Sequence, residues 1–239
     1  VHLVIPTGGL GMNTGVGDSF DLAWKLIGTL KGWGGPELLD SYEIERRQIG
    51  DRNVGASRYA NVGRQKWRSI ATDEIFDGTD AGELIKRHLI QVADSEQRKG
   101  NRMIGAELGY RYVDSPCIDN IPGGPEHRVG KYNPNVWPGS RLPHCWLDDG
   151  SALQDQLPET YILLSLGKKS LDTSKLRQSY EKIGAPVTEV RIESNRLRDL
   201  YGFDFLILRP DMHVVWRGND APQNPQEIAS ISTGHGRLD

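Results

Sequence analysis

The sequence predicts a mixed α/β protein in which a mostly helical N-terminal part precedes a smaller domain built on a sheet. Apolar residues recur at helical spacing after a glycine-rich turn near residue 10, and helical patterning continues through 61–108. Short apolar runs bounded by turn residues begin only near residue 160. The intervening stretch 115–140 is rich in Pro and Gly, which predicts a boundary between domains 1–122 and 123–239.

The composition is that of a globular chain. The 239 residues are 37% hydrophobic and 26% charged, with a formal net charge of −3, so no basic field predicts a nucleic-acid partner. No apolar run approaches the roughly 20 residues of a membrane-spanning helix, and we expect no membrane partner. Two isolated cysteines, Cys117 and Cys145, favour buried, inert thiols and a reducing, cytoplasmic location.

The N-terminal part contains two predicted helices. The first follows the glycine-rich turn and covers residues 14–30, and a second helix begins at Pro36 and is expected to reach about Ala60. The neighbouring arginines Arg46 and Arg47 are expected on a solvated face. One face of the first helix is apolar, with Val16, Phe20, Ala23, Ile27 and Leu30.

The C-terminal part has the order strand, helix, strand, strand, strand, helix. Thr173 or Ser174 can cap the first of these helices, and Gly184 can end it. The order predicts a right-handed parallel crossover and then an antiparallel hairpin, which is the element order of the thioredoxin fold. The segments are Thr160–Leu166, a helix through Leu176 and Tyr180, Val187–Ile192, Phe205–Leu208, His213–Trp216 and Pro225–Ser232.

The glycine-rich turn has the composition of a ligand-binding loop. Gly8, Gly9 and Gly11 allow close approach of a ligand and positive φ angles. The helix that follows presents unpaired N–H groups and the positive end of its dipole. A flat ligand with an electron-rich edge would therefore fit against Met12 and Asn13. The spacing alone leaves open a loop that merely turns the chain.

The longer string Pro6–Gly15, with Asp18 and Leu22–Leu26, resembles the second FAD-binding motif of the single-component FAD-dependent aromatic hydroxylases of the phenol hydroxylase and 2,4-dichlorophenol hydroxylase type. His2 resembles a histidine of the same motif. Further strings resemble that family in the same order along the chain: Leu38–Arg47, Leu108–Tyr112 with Ser115 and Pro116, Pro138–His144, and Leu208–Asp211 with Val215–Arg217.

The resemblance implies a function for these residues. FAD, reduced by NADH or NADPH, would activate O2 for hydroxylation of a phenolic or related aromatic substrate. Pro6 would lie near the isoalloxazine ring, and the N–H groups of Met12 and Asn13 would face its N1–C2=O edge. The family's catalytic acid and base residues are not identified in this chain. The cofactor-binding residues implied are Pro6, Gly8, Gly9, Leu10, Gly11, Met12 and Asn13.

The chain contains no GxGxxG that opens a βαβ unit. We therefore expect the ADP-binding half to come from a separate or upstream N-terminal FAD-binding partner. Alone, the chain is expected to be inactive and to hold no stoichiometric flavin. An alternative is a non-catalytic binding or scaffolding protein.

The C-terminal domain is expected to be redox-inactive, because the loop Gly167–Ser170 has no cysteine and Cys145 has no partner nearby in sequence. In the resembling family such a domain often supports a homodimer. His127 and His144 lack metal-site spacing, so we expect no metal. Tyr110, Tyr112 and Trp137 are expected in core or interface packing, and the alternative is that they line the wall of a pocket.

Overall fold

The structure is a computed structural model that describes residues 3–167 and 170–238. The predictions made for His2 and for the middle of the loop Gly167–Ser170 lie outside the described residues. The helices are α1 (Leu10–Leu30), α2 (Pro36–Ile70), α3 (Asp80–Asn101), α4 (Ile104–Leu108), α5 (Ser174–Ile183), α6 (Asn195–Tyr201) and α7 (Pro225–Ser232), with 3₁₀ turns at Asp73–Phe76 and Leu153–Gln156. The strands are β1 (Tyr161–Ser165), β2 (Val187–Arg191), β3 (Phe205–Leu208) and β4 (Val214–Gly218).

The chain forms two compact units, and each unit is assembled from separate segments of the chain. The sequence-based division into domains 1–122 and 123–239 is a separate statement, and it stays a prediction. The first unit contains Val1–Gly17, Ile49–Gly109 and His127–Tyr132, and the second contains Asp18–Gln48, Tyr110–Glu126 and Asn133–Asp239.

The four-stranded sheet of the second unit has the order β2-β1-β3-β4. β1 pairs with β2 in parallel and with β3 antiparallel, and β3 pairs antiparallel with β4. The predicted parallel crossover and the predicted hairpin are both confirmed. The sequence reasoning missed α6, whose signals are nevertheless visible: Ser194 accepts a hydrogen bond from the N–H of Leu197, and Gly202 ends the helix at φ 72°.

Both faces of the sheet are covered, which explains why its strands are short continuous apolar runs. Leu163, Phe205 and Ile207 share one core cluster with Trp24 of α1 and Tyr180 of α5. The alternate residues of the strands enter a second cluster. Its buried members include Ile162, Leu164, Leu206, Leu142, Leu197 and Tyr201.

Helix α1 is oriented opposite to the usual amphipathic arrangement. Trp24 is buried, and so are the charged side chains of Asp21 and Lys25. The predicted apolar face, whose spacing is typical of a stripe that faces the core, is instead exposed: Phe20 is 52%, Ile27 49% and Leu30 84% exposed. Val16 and Ala23, the other two members of that face, are exposed as well.

The charges of α1 are buried because they meet charges from α2 and from the β3–β4 turn. Lys25 Nζ lies 2.8 Å from Asp21 Oδ2 and 2.7 Å from Glu45 Oε2. Arg209 donates to Glu45 Oε2 at 3.0 Å, to Asp211 Oδ1 at 3.0 Å and to Asp21 Oδ1 at 3.2 Å. Three carboxylates thus share two cations, and all five side chains are at least 98% buried. We call Asp21, Lys25, Glu45, Arg209 and Asp211 the buried ion cluster.

The prediction that Arg46 lies on a solvated face is wrong. Arg46 is buried, with its Nε 2.7 Å from Asp18 Oδ1 and its Nη1 3.0 Å from the hydroxyl of Tyr112. Its neighbour Arg47 is 73% exposed, as predicted. Adjacent helix residues point about 100° apart, so the burial of one does not determine the burial of the next.

One helix boundary and the hydrogen bonding of one helix cap differ from the sequence prediction. Helix α2 continues ten residues beyond Ala60 and ends at Ile70. Thr173 is the N-cap residue of α5, as predicted, but its hydroxyl donates to Glu189 instead of accepting from the helix, and the carboxylate of Asp172 accepts from the N–H of Ser174. Gly63 lies inside the helix, and Ile70 is followed by Ala71 and Thr72 rather than by Gly or Pro, which is why the sequence did not place the end of α2.

The structure also shows the setting of the two cysteines. Cys117 and Cys145 are both free and buried, as predicted, and burial raises the pKa of the Cys117 thiol to about 11. Within residues 3–167 and 170–238, no helix is long and apolar enough to cross a membrane. The same residues contain no group of three or more His, Cys, Asp or Glu side chains placed to hold a metal ion.

The buried ion cluster predicts a large stability loss when Arg209 is removed. Arg209→Met leaves Glu45, Asp211 and Asp21 with one cation in a dry interior, so we expect a loss of about 3–5 kcal/mol in the free energy of unfolding measured by urea denaturation. Arg47→Met, at the exposed position, should change it by less than about 0.5 kcal/mol. A loss for Arg209→Met as small as that of the control would contradict the assignment.

A second prediction concerns pH. Burial, reinforced by the charges of Glu45 and Asp211 and opposed by Lys25 and Arg209, raises the pKa of Asp21 from 3.8 to about 6. Because the folded protein holds this proton more tightly than the unfolded chain, the contribution to stability is complete below about pH 4 and is lost as pH rises through 6.

Asp21→Asn should therefore flatten the pH dependence of the unfolding free energy between about pH 4 and pH 6.5. The exposed control Asp94→Asn removes a carboxyl whose pKa is lowered by its hydrogen bond to Arg98, so it should leave this window unchanged. An unaltered profile in Asp21→Asn would show that Asp21 does not titrate there.

Candidate functional site

The glycine-rich turn folds as a tight turn that leads directly into α1. The N–H of Gly9 donates to the carbonyl of Pro6 at 3.3 Å. Gly8 and Gly9 have φ angles of 89° and 70°, in the left-handed region that favours glycine. An added Cβ at Gly8 would lie 2.6 Å from Met103 Sδ, so this position needs glycine for space as well as for conformation. The turn therefore delivers the chain into the helix at Leu10.

The side chain of Leu10 anchors the turn in the interior of the first unit, where it is only 3% exposed. It packs against Ala56 and Ala60 of α2 and against Met103 and Ala106. The two small alanines lie one helical turn apart on α2, which leaves room for a leucine from another helix. Leu10 can therefore face a ligand only through its backbone.

Hydrogen bonds fix the first turn of α1. The hydroxyl of Thr14 donates to the carbonyl of Leu10 at 2.7 Å, and Asn53 Nδ2 of α2 donates to that hydroxyl at 2.7 Å. Asn13 turns its amide back to the carbonyl of Gly9 at 3.2 Å. The side chain of Asn13 is thus engaged with the turn rather than directed at a ligand.

The start of α1 is suited to an electron-rich group. The first N–H groups of a helix have no acceptor within the helix, and the helix dipole is positive at this end. The first turn of α1 contains no acidic side chain that would compete for them. At Gly11 an added Cβ would meet only Val4, at an ordinary 3.7 Å. The packing of this unit therefore does not require glycine at position 11, and the missing side chain leaves open space beside the N–H groups.

The structure brings the predicted residues Pro6 to Asn13 together in one turn. Pro6 and Gly9 are exposed, and Met12 is 78% exposed. The sequence reasoning missed three supporting residues, Asn53, Asn61 and Met103, which lie about 40 to 90 residues away in the chain. Thr7 donates to Asn61 Oδ1 at 3.2 Å. The one available sequence signal was the pair of alanines on α2, Ala56 and Ala60, whose one-turn spacing can indicate that another helix packs there.

The remaining candidates lie in other settings. Tyr112 is buried, as predicted, and stacks on His213 with ring centroids 4.3 Å apart; burial raises the pKa of its hydroxyl well above the usual value. Trp137 packs under the guanidinium of Arg217 at 4.3 Å. His144 is exposed and lies edge-on to Trp146 at 4.9 Å. None of these contacts involves the glycine-rich turn.

Comparison with protein families decides the affiliation of the chain. Residues 1–57, which include the turn and all of α1, match a family described as an FAD binding domain. Residues 135–233, which include the whole sheet, match the family described as aromatic-ring hydroxylase, C-terminal. In both regions the chain is similar to the FAD-dependent aromatic-ring hydroxylases. The family resemblance and the mixed α/β fold class predicted from the sequence are therefore confirmed.

Individual relatives of the chain support the same resemblance. An FAD-dependent monooxygenase of Emericella nidulans is 31% identical over 96% of this chain and 38% of its own length. Phenol 2-monooxygenase of a Pseudomonas species is 27% identical over 95% of this chain and 42% of its own. The rebeccamycin biosynthetic enzyme RebC with reduced flavin has a similar structure, with a TM-score of 0.81, 29% identity and coverage of 98% and 43%. The chain thus spans less than half the length of the relatives that it matches.

The turn geometry predicts different costs at its two left-handed glycines. Gly9→Ala should lose about 1–2 kcal/mol of unfolding free energy, because alanine is strained at positive φ. Gly8→Ala should lose more, because Met103 must also move out of its cluster. Gly55→Ala, in an open position of α2, should gain up to about 1 kcal/mol from helix propensity. Equal losses at Gly8 and Gly9 in thermal or urea unfolding would contradict the close approach of Met103.

Proposed function

We propose that the chain forms one wall of the FAD site of an aromatic-ring hydroxylase, the wall that faces the pyrimidine edge of the flavin. The observation that supports this most directly is the turn itself: two left-handed glycines lead into a helix whose first N–H groups lie beside the open position of Gly11. Pro6, Gly8, Gly9 and the backbone of Leu10, Gly11, Met12 and Asn13 are the proposed cofactor-binding groups.

The residues present fit a flavin. FAD supplies the redox chemistry, with NAD(P)H as the reductant and O2 as the oxidant, in the hydroxylation of a phenolic or related aromatic ring. Negative charge collects at the N1–C2=O edge when a flavin is reduced. The N–H groups of Met12 and Asn13 and the dipole of α1 would stabilise that charge, with Gly11 leaving room for the ring.

Three side chains would support the flavin site without contacting the flavin themselves. Leu10, Thr14 and Asn53 hold the first turn of α1 in place, so the donors are preorganised and need not rearrange during the reaction. The role proposed for these three residues is positioning of the donors.

The adenosine half of FAD would be held by other polypeptide. No GxGxxG opens a βαβ unit in the 239 residues, and the matched relatives are more than twice as long as this chain. We therefore propose that the 239-residue chain by itself binds FAD weakly and does not hydroxylate, and that it acts together with an N-terminal FAD-binding half.

For the C-terminal part we propose a redox-inactive, thioredoxin-like domain. Its support is the sheet order β2-β1-β3-β4 with a parallel β1–β2 pair, together with the burial of Cys117 and Cys145 as separate free thiols. Free thiols are also what a reducing cytoplasm would maintain. A role of this domain in a homodimer stays a prediction.

The proposal is tested by grafting. In the graft, this chain replaces the matching segment of the Pseudomonas phenol 2-monooxygenase. The purified graft is assayed for bound flavin and for NAD(P)H oxidation stimulated by phenol. We expect bound flavin at close to one per chain and phenol-dependent oxidation. A folded graft without flavin would contradict the proposal and favour a non-catalytic binding or scaffolding role. Flavin without stimulation by any phenol would contradict the proposed substrate class.

Within the graft, Gly11→Ala should weaken flavin binding about tenfold or more, since a Cβ would enter the space proposed for the ring and one tenfold step is only 1.4 kcal/mol. The matched control is Gly55→Ala, which also adds one methyl to an open helical position and should leave flavin affinity unchanged. Fluorescence titration of the flavin-free graft measures both. Equal affinities for the two variants would remove Gly11 from the site.

A further inference from the structure

The outward side of α1 in the second unit is an uncharged and mostly apolar surface. We call Ser19, Phe20, Ala23, Leu26, Ile27 and Leu30 the outer face of α1; all six are exposed. The outer face contains no charged residue. The charged residues of this helix lie on the other side, where Asp21 and Lys25 belong to the buried ion cluster and Asp18 pairs with Arg46.

This arrangement is unfavourable for a helix whose outer side stays in contact with water. Surface helices normally place charges outward and an apolar stripe inward. Here two charges pay their desolvation cost inside the protein while Phe20, Ile27 and Leu30 remain in water. Contiguous exposed apolar surface of this kind marks a contact with another protein surface or with a membrane. No basic residue lies on the outer face to attract an anionic membrane surface, so a protein partner is favoured.

We propose that the outer face of α1 is the docking surface for the polypeptide that holds the adenosine half of FAD. This inference rests on the proposed function and specifies where the two halves of the site meet. Because the outer face is uncharged, the partner surface must itself be apolar there, a helix or sheet face of aliphatic or aromatic side chains without unpaired charge.

Two observations favour this occupant. The outer face lies on the same helix that begins at the proposed flavin turn, and the match to the FAD binding domain includes that entire helix. More than half of the length of each compared relative lies outside the matched region, which is ample polypeptide to cover the face.

A second copy of this chain is a weaker candidate. Residues 19–30 extend over about 18 Å of helix, which is one narrow strip. A stable dimer buries about 800 Å² on each partner, so this strip alone would be too small for a symmetric interface.

The test is site-specific labelling. Phe20→Cys and Ile27→Cys are introduced separately into the free 239-residue chain and into the phenol 2-monooxygenase graft, and maleimide modification is followed peptide by peptide by mass spectrometry. Cys117 and Cys145 are buried and should react slowly in both. The control is Lys182→Cys, an exposed position on α5.

In the free chain all three introduced cysteines should react rapidly. In the graft, Phe20→Cys and Ile27→Cys should be protected by at least about a hundredfold, as expected when exposure requires an opening that costs several kcal/mol, while Lys182→Cys keeps its rate. Equal labelling of Ile27→Cys in the graft and in the free chain would overturn the inference. So would concentration-dependent protection in the free chain accompanied by dimers in sedimentation, which would identify a second copy as the occupant.

The two hypotheses fail separately. A graft that binds flavin but labels freely at Phe20→Cys and Ile27→Cys retains the proposed function and refutes the docking surface. A graft that protects both positions but holds no flavin retains the docking surface and refutes the flavin site. Since cysteine is a mild replacement for an exposed residue, unfolding of the variants is not expected. Rapid labelling of the buried Cys117 and Cys145 within the same variant would report it if it occurred.

Discussion

The guanidinium of Arg209 is the contact on which the second unit depends most. It lies in the turn between β3 and β4, is fully buried, and hydrogen-bonds to carboxylates of α1, of α2 and of its own turn. The planar guanidinium presents five donors in a fixed fork, which lets one side chain bond to three carboxylates, and the three donors of a lysine would not reproduce this geometry. The sheet and the two N-terminal helices of this unit are thus joined by one side chain rather than by an apolar contact alone.

The same contact determines which side of α1 faces inward. Asp21 and Lys25 must reach the buried ion cluster, because an unpaired buried charge would cost more than the exposure of several apolar side chains. Trp24 lies between them and packs on the sheet residue Tyr161, with ring centroids 6.3 Å apart. The aliphatic residues are therefore left outside, and the apolar outer face of α1 is a consequence of satisfying the charges.

In the first unit the constraint is geometric rather than electrostatic. Gly8 and Gly9 hold left-handed conformations, Leu10 anchors the chain in an apolar cluster, and Asn53 and Thr14 fix the first helical turn. A site whose donors are backbone N–H groups depends on such supports, because no side chain of the turn can compensate for a misplaced backbone. This explains why the residues that position the proposed flavin wall lie far from it in sequence.

Local pattern was sufficient for most of the architecture. The turn, the two helices that follow it, the parallel crossover and the hairpin were all predictable, because Gly, Pro and apolar periodicity act over a few residues. The seven-residue helix α6 and the end of α2 escaped, the first because a short helix has little periodicity and the second because no Gly or Pro directly follows Ile70.

The sequence by itself determined the family and the glycine-rich turn, since both are written in consecutive residues. Only the tertiary structure decided that Arg46 is buried beside an exposed Arg47, that Arg209 joins Glu45 across 164 residues of chain, and that the apolar side of α1 faces outward. These outcomes depend on which charges meet across distant segments. A helical pattern shows that one side is apolar, but it cannot show which side the rest of the protein will cover.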